Sequence, residues 1–303
     1  MKIIKAIAVL GILTMICTQF CGCSDITISG TRDGNFNTSG YNYTDSGKYS
    51  VGGATISDKI TSLDISWING TIKLSYHDEN TVSFSESSKD NLSDKEKMRY
   101  YVDGSTLRIQ FCESGYATTN PPQKNLELVL PKGMVFENAN FDVVSADLNF
   151  GILEAENFDF NTVSGDVNGS ELIVENKVDV DAVSGNFTLT DSMKADTFKF
   201  DSTSGDVSVA NAEISNAVHS NTVSGVVTIS LSKMCDVKHN SVSGDLNLKV
   251  PKDASFTIDH DGASGDVNVD MPAKVSKGHY VIGSGDYSVN ASTVSGDVNV
   301  SER

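Results

Sequence analysis

The serine of a recurring Val-Ser-Gly-Asp-Val-like motif falls at 145, 164, 184, 204, 224, 243, 264 and 284, so the spacings are 19, 20, 20, 20, 19, 21 and 20. A shorter step of 11 then reaches Ser295. So constant a period marks a solenoid, in which each unit buries its apolar face only by stacking on its neighbours. Three positions after that serine stand Leu148, Val167, Phe187, Val207, Val227, Leu246, Val267 and Tyr287. The next column reads Asn149, Asn168, Thr188, Ser208, Thr228, Asn247, Asn268 and Ser288. Apolar and polar residues alternating with period two describe a half-buried strand. Phe158 and Phe160, Val178 and Val180, and Phe198 and Phe200 supply a second inward strand ahead of each turn. The expected fold class is therefore all-β, a β-solenoid (parallel β-helix-like) with coils of about 20 residues.

Upstream of the repeats, alternating runs such as Leu63–Trp67, Thr71–Leu74, Thr81–Phe84 and Thr106–Phe111 are separated by Asn69-Gly70, His77–Asn80 and Asp103-Gly104. These turn signals predict antiparallel strands and hairpins that cap the N-terminal end of the solenoid, because an open end exposes unpaired strand edges. The short final repeat, Ser284 to Val300, is expected to protect the other end. Four segments follow: 1–22 a lipoprotein signal peptide, 23–54 a flexible polar tether, 55–135 the N-terminal β cap and 136–303 the solenoid. The tether is assigned on its Gly, Ser, Asn and Thr content, with Phe36, Tyr41, Tyr43 and Tyr49 expected to be exposed.

The signal peptide is read from Lys2 and Lys5, an apolar stretch from Ile7 to Ile16 and a short exit before Cys23. That stretch is shorter than the roughly 20 residues a membrane-spanning helix needs. Phe20-Cys21-Gly22-Cys23 resembles a lipobox, which makes Cys23 the lipidation site and places the mature chain outside the cytoplasm on a bacterial membrane. Cleavage there leaves 21 basic against 40 acidic residues, a net charge of −19. Such a surface repels nucleic acid and anionic lipid, so attachment to the membrane falls to the lipid. Of the five cysteines only Cys112 and Cys235 remain, as separate buried thiols or, outside the cell, as a disulfide.

The turn motif invites a functional reading, but a structural one comes first. Ser164, Gly165 and Asp166, Ser184 and Gly185, Ser204, Gly205 and Asp206, Ser243, Gly244 and Asp245, Ser264, Gly265 and Asp266, and Ser295, Gly296 and Asp297 are the turn residues. Glycine is expected to supply positive φ, and the Ser and Asp side chains to satisfy turn amides. An Asx column three positions ahead of the serine, Asp142, Asn161, Asp181, Asp201, Asn221, Asn240 and Asp261, is expected to cap the same corner. Calcium on the aspartate ladder is the alternative. It is disfavoured because Asn186 and Val226 interrupt the ladder and no Gly-Gly-x-Gly-x-Asp nonapeptide is present. His219, His239, His260 and His279 also recur once per coil, and register allows at most one stacked pair, His239 with His260. No metal site or cofactor is assigned.

No nucleophile elbow, P-loop or His-Glu-x-x-His motif occurs in the chain. With coils of nearly constant length and only Arg303 as arginine in the repeats, a carbohydrate-active β-helix enzyme is the weakest reading. Leu63–Ile72, Phe84–Ser88, Tyr101–Ile109, Leu126–Pro131 and the repeats together resemble the bacterial "putative adhesin" family of domains of unknown function. That resemblance implies a strand region followed by a β-solenoid and supplies no catalytic residues. The reading is a non-catalytic surface binding or adhesion module for an envelope polymer, glycan or protein. The alternative is an envelope-stress or regulatory lipoprotein acting on a membrane protein or a cationic peptide.

Overall fold

A computed structural model describes residues 25–26, 34–37 and 40–303; the signal peptide and Cys23 lie outside the described residues. The described chain is nearly all strand, with a single short 3-10 turn, Ser46–Lys48, and no α-helix. It falls into two compact units, one ending at Gly169 and the other running from Ser170 to Arg303.

The first unit is organised around the strand Ser62–His77. Leu63, Ile65, Trp67, Ile72 and Leu74 are all buried along it. It pairs in parallel with Val135–Thr162, with Thr106–Gln110 and with Lys124–Pro131. The N-terminal region thus contributes a solenoid-like coil of its own, which the hairpin expectation did not foresee. Asn69-Gly70 is no hairpin turn: the strand runs straight through it. Gly70 has φ +116°, and a Cβ there would sit 1.9 Å from the Lys124 carbonyl oxygen, so glycine is required by the close approach of a neighbouring backbone. At Asp103-Gly104 the expected hairpin is present, joining Arg99–Asp103 to Thr106–Gln110.

The tether expected over 23–54 runs too far. Ala54–Ile56 pairs with Val82–Ser88, and Ser50–Val51 pairs with Arg99–Asp103. Tyr41 and Tyr43 are 4% and 7% exposed, where exposed rings were expected. The reason is that burial leaves neither hydroxyl unpaired. Tyr41 donates to Gln110 Oε1, and Tyr43 donates to the Cys112 carbonyl at 3.0 Å.

In the second unit the coils stack in parallel and in register. Phe187 meets Val207, Val207 meets Val227, and Val227 meets Leu246. Ahead of the turns, Phe198 meets Val218, which meets Val237. Phe187, Phe198 and Phe200 are fully buried, each contributing on the order of 2–3 kcal/mol of burial free energy.

Sequence order fails at the C-terminal end. Strand Tyr287–Thr293 pairs with Asp236–Ser241 on one side and Phe256–Gly262 on the other. Val298–Glu302 likewise lies between Leu246–Val250 and Val267–Asp270. The coil that turns at Ser295 is therefore inserted between the coils of Ser243 and Ser264, and the final repeat does not protect an end. Ser284 is not a stacked turn either. Strand His279–Ile282 runs antiparallel to Phe256–Gly262, and Gly285 has φ +78° in a turn back to the parallel direction. Its spacing of 20 matches the period only by coincidence of length, and Tyr287, in a column expected to face inward, is 36% exposed.

Candidate functional site

The turn residues build three parallel ladders. The serine N–H donates to a carbonyl of the adjacent coil: Ser164 to Val144 at 2.9 Å, Ser204 to Val183 at 3.0 Å, Ser243 to Val223 at 2.8 Å, Ser264 to Val294 at 3.1 Å and Ser295 to Val242 at 2.9 Å. These serines and Ser184 are all exposed. The glycines form the second ladder, and here the expected reason is corrected. Gly165, Gly205, Gly244, Gly265 and Gly296 do not have positive φ. They stack on one another so closely that a Cβ at Gly205 would lie 1.9 Å from the Gly185 carbonyl oxygen, and one at Gly165 would lie 2.0 Å from that of Ala146.

The third ladder uses the aspartates. Asp147 Oδ1 accepts from the Asp166 N–H at 3.0 Å, Asn186 Oδ1 from Asp206 at 2.9 Å, and Asp206 Oδ1 from Val226 at 2.7 Å. Asp245 and Asp297 accept from the Asp297 and Asp266 amides at 2.8 and 2.9 Å. Each side chain thus holds the next coil's amide, a task that Asn186 performs as well as a carboxylate. Among the described residues no group of three or more His, Cys, Asp or Glu side chains is placed to hold a metal ion.

A column that the sequence reading missed lies two residues ahead of the serine: Thr162, Ser202, Thr222, Ser241 and Thr293, all buried. Their hydroxyls serve the glycine corner. Thr162 and Ser202 accept from Gly165 and Gly205 N–H at 2.6 and 2.7 Å, and Ser241 and Thr293 donate to Gly244 and Gly296 carbonyls at 2.7 and 2.9 Å. A Ser/Thr column running from Thr162 to Thr293 and interrupted by Ala182 and Gly262 was the available signal. The Asx column forms a ladder between coils: Asn161 donates to Asp142 at 2.9 Å, Asn221 to Asp201 at 2.6 Å and Asn240 to Asn221 at 2.7 Å. Lys199 joins it, reaching Asp179, Asp181 and Asp201 at 2.9, 3.0 and 2.8 Å. Burial works against its charge, but the bond to Asp201 and the field of Asp181 outweigh it and raise the lysine pKa.

The outward column after the turn is the broadest candidate contact surface. In the second unit it runs Thr188, Ser208, Thr228, Asn247, Asn299, Asn268 in spatial order. Asn268 donates to Asn299 at 2.9 Å, Asn299 to Asn247 at 2.9 Å, and Asn247 to Thr228 at 3.4 Å. Short polar side chains fixed at the strand spacing of about 4.8 Å give a flat, repetitive face of hydrogen-bonding groups.

Two buried polar clusters stand apart from it. In the first unit Lys124 is 0% exposed; its Nζ lies 2.7 Å from Glu86 Oε2, donates to the Glu96 and Phe111 carbonyls, and sits 4.0 Å from the Phe111 ring centroid. Burial lowers its pKa, against the opposing pull of Glu86. In the second unit Ser220 Oγ lies 2.8 Å from His239 Nδ1. Ala291 separates His239 from His260 across the inserted coil, so the one stacked pair that register allowed does not form. His260 instead meets Thr293 Oγ1 at 2.9 Å. Cys112 and Cys235 are buried free thiols, each pushed up to about 12 by burial.

Parallel coils joined by stacked Ser-Gly-Asp turns define a β-solenoid-like protein. The chain belongs to the Toastrack DUF4097 family, whose model matches residues 59–301. It is similar to a "putative adhesin" from Bacteroides fragilis at 13% identity and a TM-score of 0.48, covering 83% of this chain and 97% of that one. A "putative adhesin" from Parabacteroides distasonis matches at 15% identity and a TM-score of 0.46, covering 83% and 97%. A "putative lipid binding protein" from the same species matches at 13% and 0.42, covering 84% and 98%. No curated protein matches the chain. Among the described residues no helix is long and apolar enough to cross a membrane.

Proposed function

We propose that this protein is a non-catalytic binding module, held outside the cytoplasm by a lipid on Cys23, whose flat polar sheet meets an extended envelope polymer, glycan or protein. The observation that carries this reading is the hydrogen-bonded ladder Asn268–Asn299–Asn247–Thr228. Its side chains are held in place before any ligand arrives, so little rotamer entropy is lost on contact, and weak contacts add up along the repeats. Against catalysis speaks the Ser220–His239 pair, which has the distance of a nucleophile and its base but is 1% and 0% exposed and beyond a substrate's reach.

The test is retention of purified envelope polymers and proteins by the membrane-attached full chain. Saturable retention, lost in Ser208→Arg and Thr228→Arg, supports the module; no retention, or retention unchanged in both variants, rejects it. Release of the protein into the medium by Cys23→Ala checks the anchor. A regulatory lipoprotein is the second reading, favoured by the mature charge of −19, and it requires association that weakens as salt rises.

A further inference from the structure

The coil order leaves one end of the second unit's apolar interior uncovered. In coils with neighbours on both sides the inward pair after the turn is closed: Val207 and Val209 are 1% and 2% exposed, Val298 and Val300 0% and 2%. Val267 and Val269, the same columns in strand Val267–Asp270, are only half-buried. Val298–Glu302 covers one side of that strand. The hairpin that follows turns Lys274–Ser276 onto His279–Ile282, and His279–Ile282 onto Phe256–Gly262. It therefore closes the strand ahead of the turn and, among the described residues, leaves the strand after it with one partner strand.

The bond from Val298 N–H to the Asp266 carbonyl, 2.9 Å, sets the phase of the ladder. In a parallel pair so phased, the main-chain groups of Asn268 face Val298–Glu302, and those of Val267 and Val269 point outward. Beside this edge lies an open groove of about 570 Å³ whose lining includes Val267, Val269, Met271, Val275 and Tyr280. Val275 is 58% exposed. Asp266 and Asp270 stand exposed at the two ends of the edge.

We propose that this edge receives an extended segment of a partner protein in which apolar and basic residues alternate, added as a further strand. Its main chain would pair with Val267 and Val269, its apolar side chains would enter the groove, and its basic ones would meet Asp266 and Asp270. A second copy is disfavoured as occupant, because it would bring the same two aspartates to the seam. The inference does not rest on the binding role of the polar face, whose terminal member Asn268 stands on the same strand.

The test is titration of the full chain into a short fluorescent peptide alternating Val and Lys. Controls are a peptide of the same composition in two blocks and one alternating Val and Glu. The alternating Val–Lys peptide should bind saturably and at least about ten-fold more tightly than either control. Val269→Pro removes one outward donor and no bond within the sheet, and should weaken binding about five-fold. Asp270→Lys should shift preference toward the Val–Glu peptide, while Ser208→Arg should leave binding unchanged. Equal binding of the block peptide, or affinity unchanged in both edge variants, overturns the proposal. If Val269→Pro does not fold, Asp270→Lys decides alone.

Discussion

Ser220 Oγ lies 2.8 Å from Nδ1 of His239, deep between two stacked coils, where the same column elsewhere holds Val180 or Phe200. Nε2 of the imidazole faces the Gly244 carbonyl at 3.4 Å, with Asp245 the nearby charge. Burial disfavours the imidazolium and lowers the pKa from 6.5 to about 4. Between those values the unfolded chain binds a proton that the folded chain does not. Stability is then complete above about pH 6.5 and falls as pH drops toward 4, by about 2 to 3 kcal/mol near pH 4.5. Urea unfolding at neutral and acid pH, compared between wild type and His239→Leu, should show the variant losing less on acidification by about that amount.

The glycine ladder predicts a contrast between two glycine-to-alanine changes. Gly205→Ala places a Cβ 1.9 Å from a backbone oxygen that cannot move without parting two coils, and should cost about 3 kcal/mol or more. Gly104→Ala, at φ +63° with nothing within 4 Å, should cost only about 1 kcal/mol of backbone strain. Denaturant midpoints of the two variants check this directly.

Because Asn186 already fills an aspartate's place in the ladder, Asp206→Asn should be close to neutral, whereas Asp206→Ala leaves the Val226 amide without its acceptor and should cost about 1 kcal/mol. For the same reason, adding or chelating calcium should leave the thermal midpoint of the wild type unchanged. A calcium-dependent rise would show that the carboxylates have a second task.

Lys124→Met removes the partner of Glu86 inside the first unit and should cost about 3–5 kcal/mol. Adding Glu86→Leu removes the uncompensated charge and should restore much of the loss. A double-mutant cycle on denaturant unfolding measures that coupling.

The repeat period was enough to assign columns: Phe187, Val207, Val227 and Leu246 are buried as their alternation requires, and Thr188, Ser208 and Thr228 are not. Coil order was not legible, because every coil carries nearly the same pattern and stacks equally well on several others. Val298 fits between Leu246 and Val267 for the same reason that it would fit beyond them. Lys124 was invisible for the opposite reason. It is a single charged residue at the start of an alternating strand, and its burial depends on carbonyls and rings from elements distant in sequence. Tyr41 and Tyr43 were misplaced because a Gly/Ser/Asn-rich composition reports local freedom but carries no trace of a partner such as Gln110 or Cys112.

The inserted coil also sets a timetable for folding. Phe256–Gly262 and Val267–Asp270 emerge before Tyr287–Thr293 and Val298–Glu302, yet they stack on those later strands and not on the Ser243 coil. A chain leaving the ribosome or a translocation pore therefore cannot give the Ser264 segment its final partners until Tyr287–Thr293 and Val298–Glu302 have emerged, and loss of those two strands would unseat two coils where the sequence order suggests one.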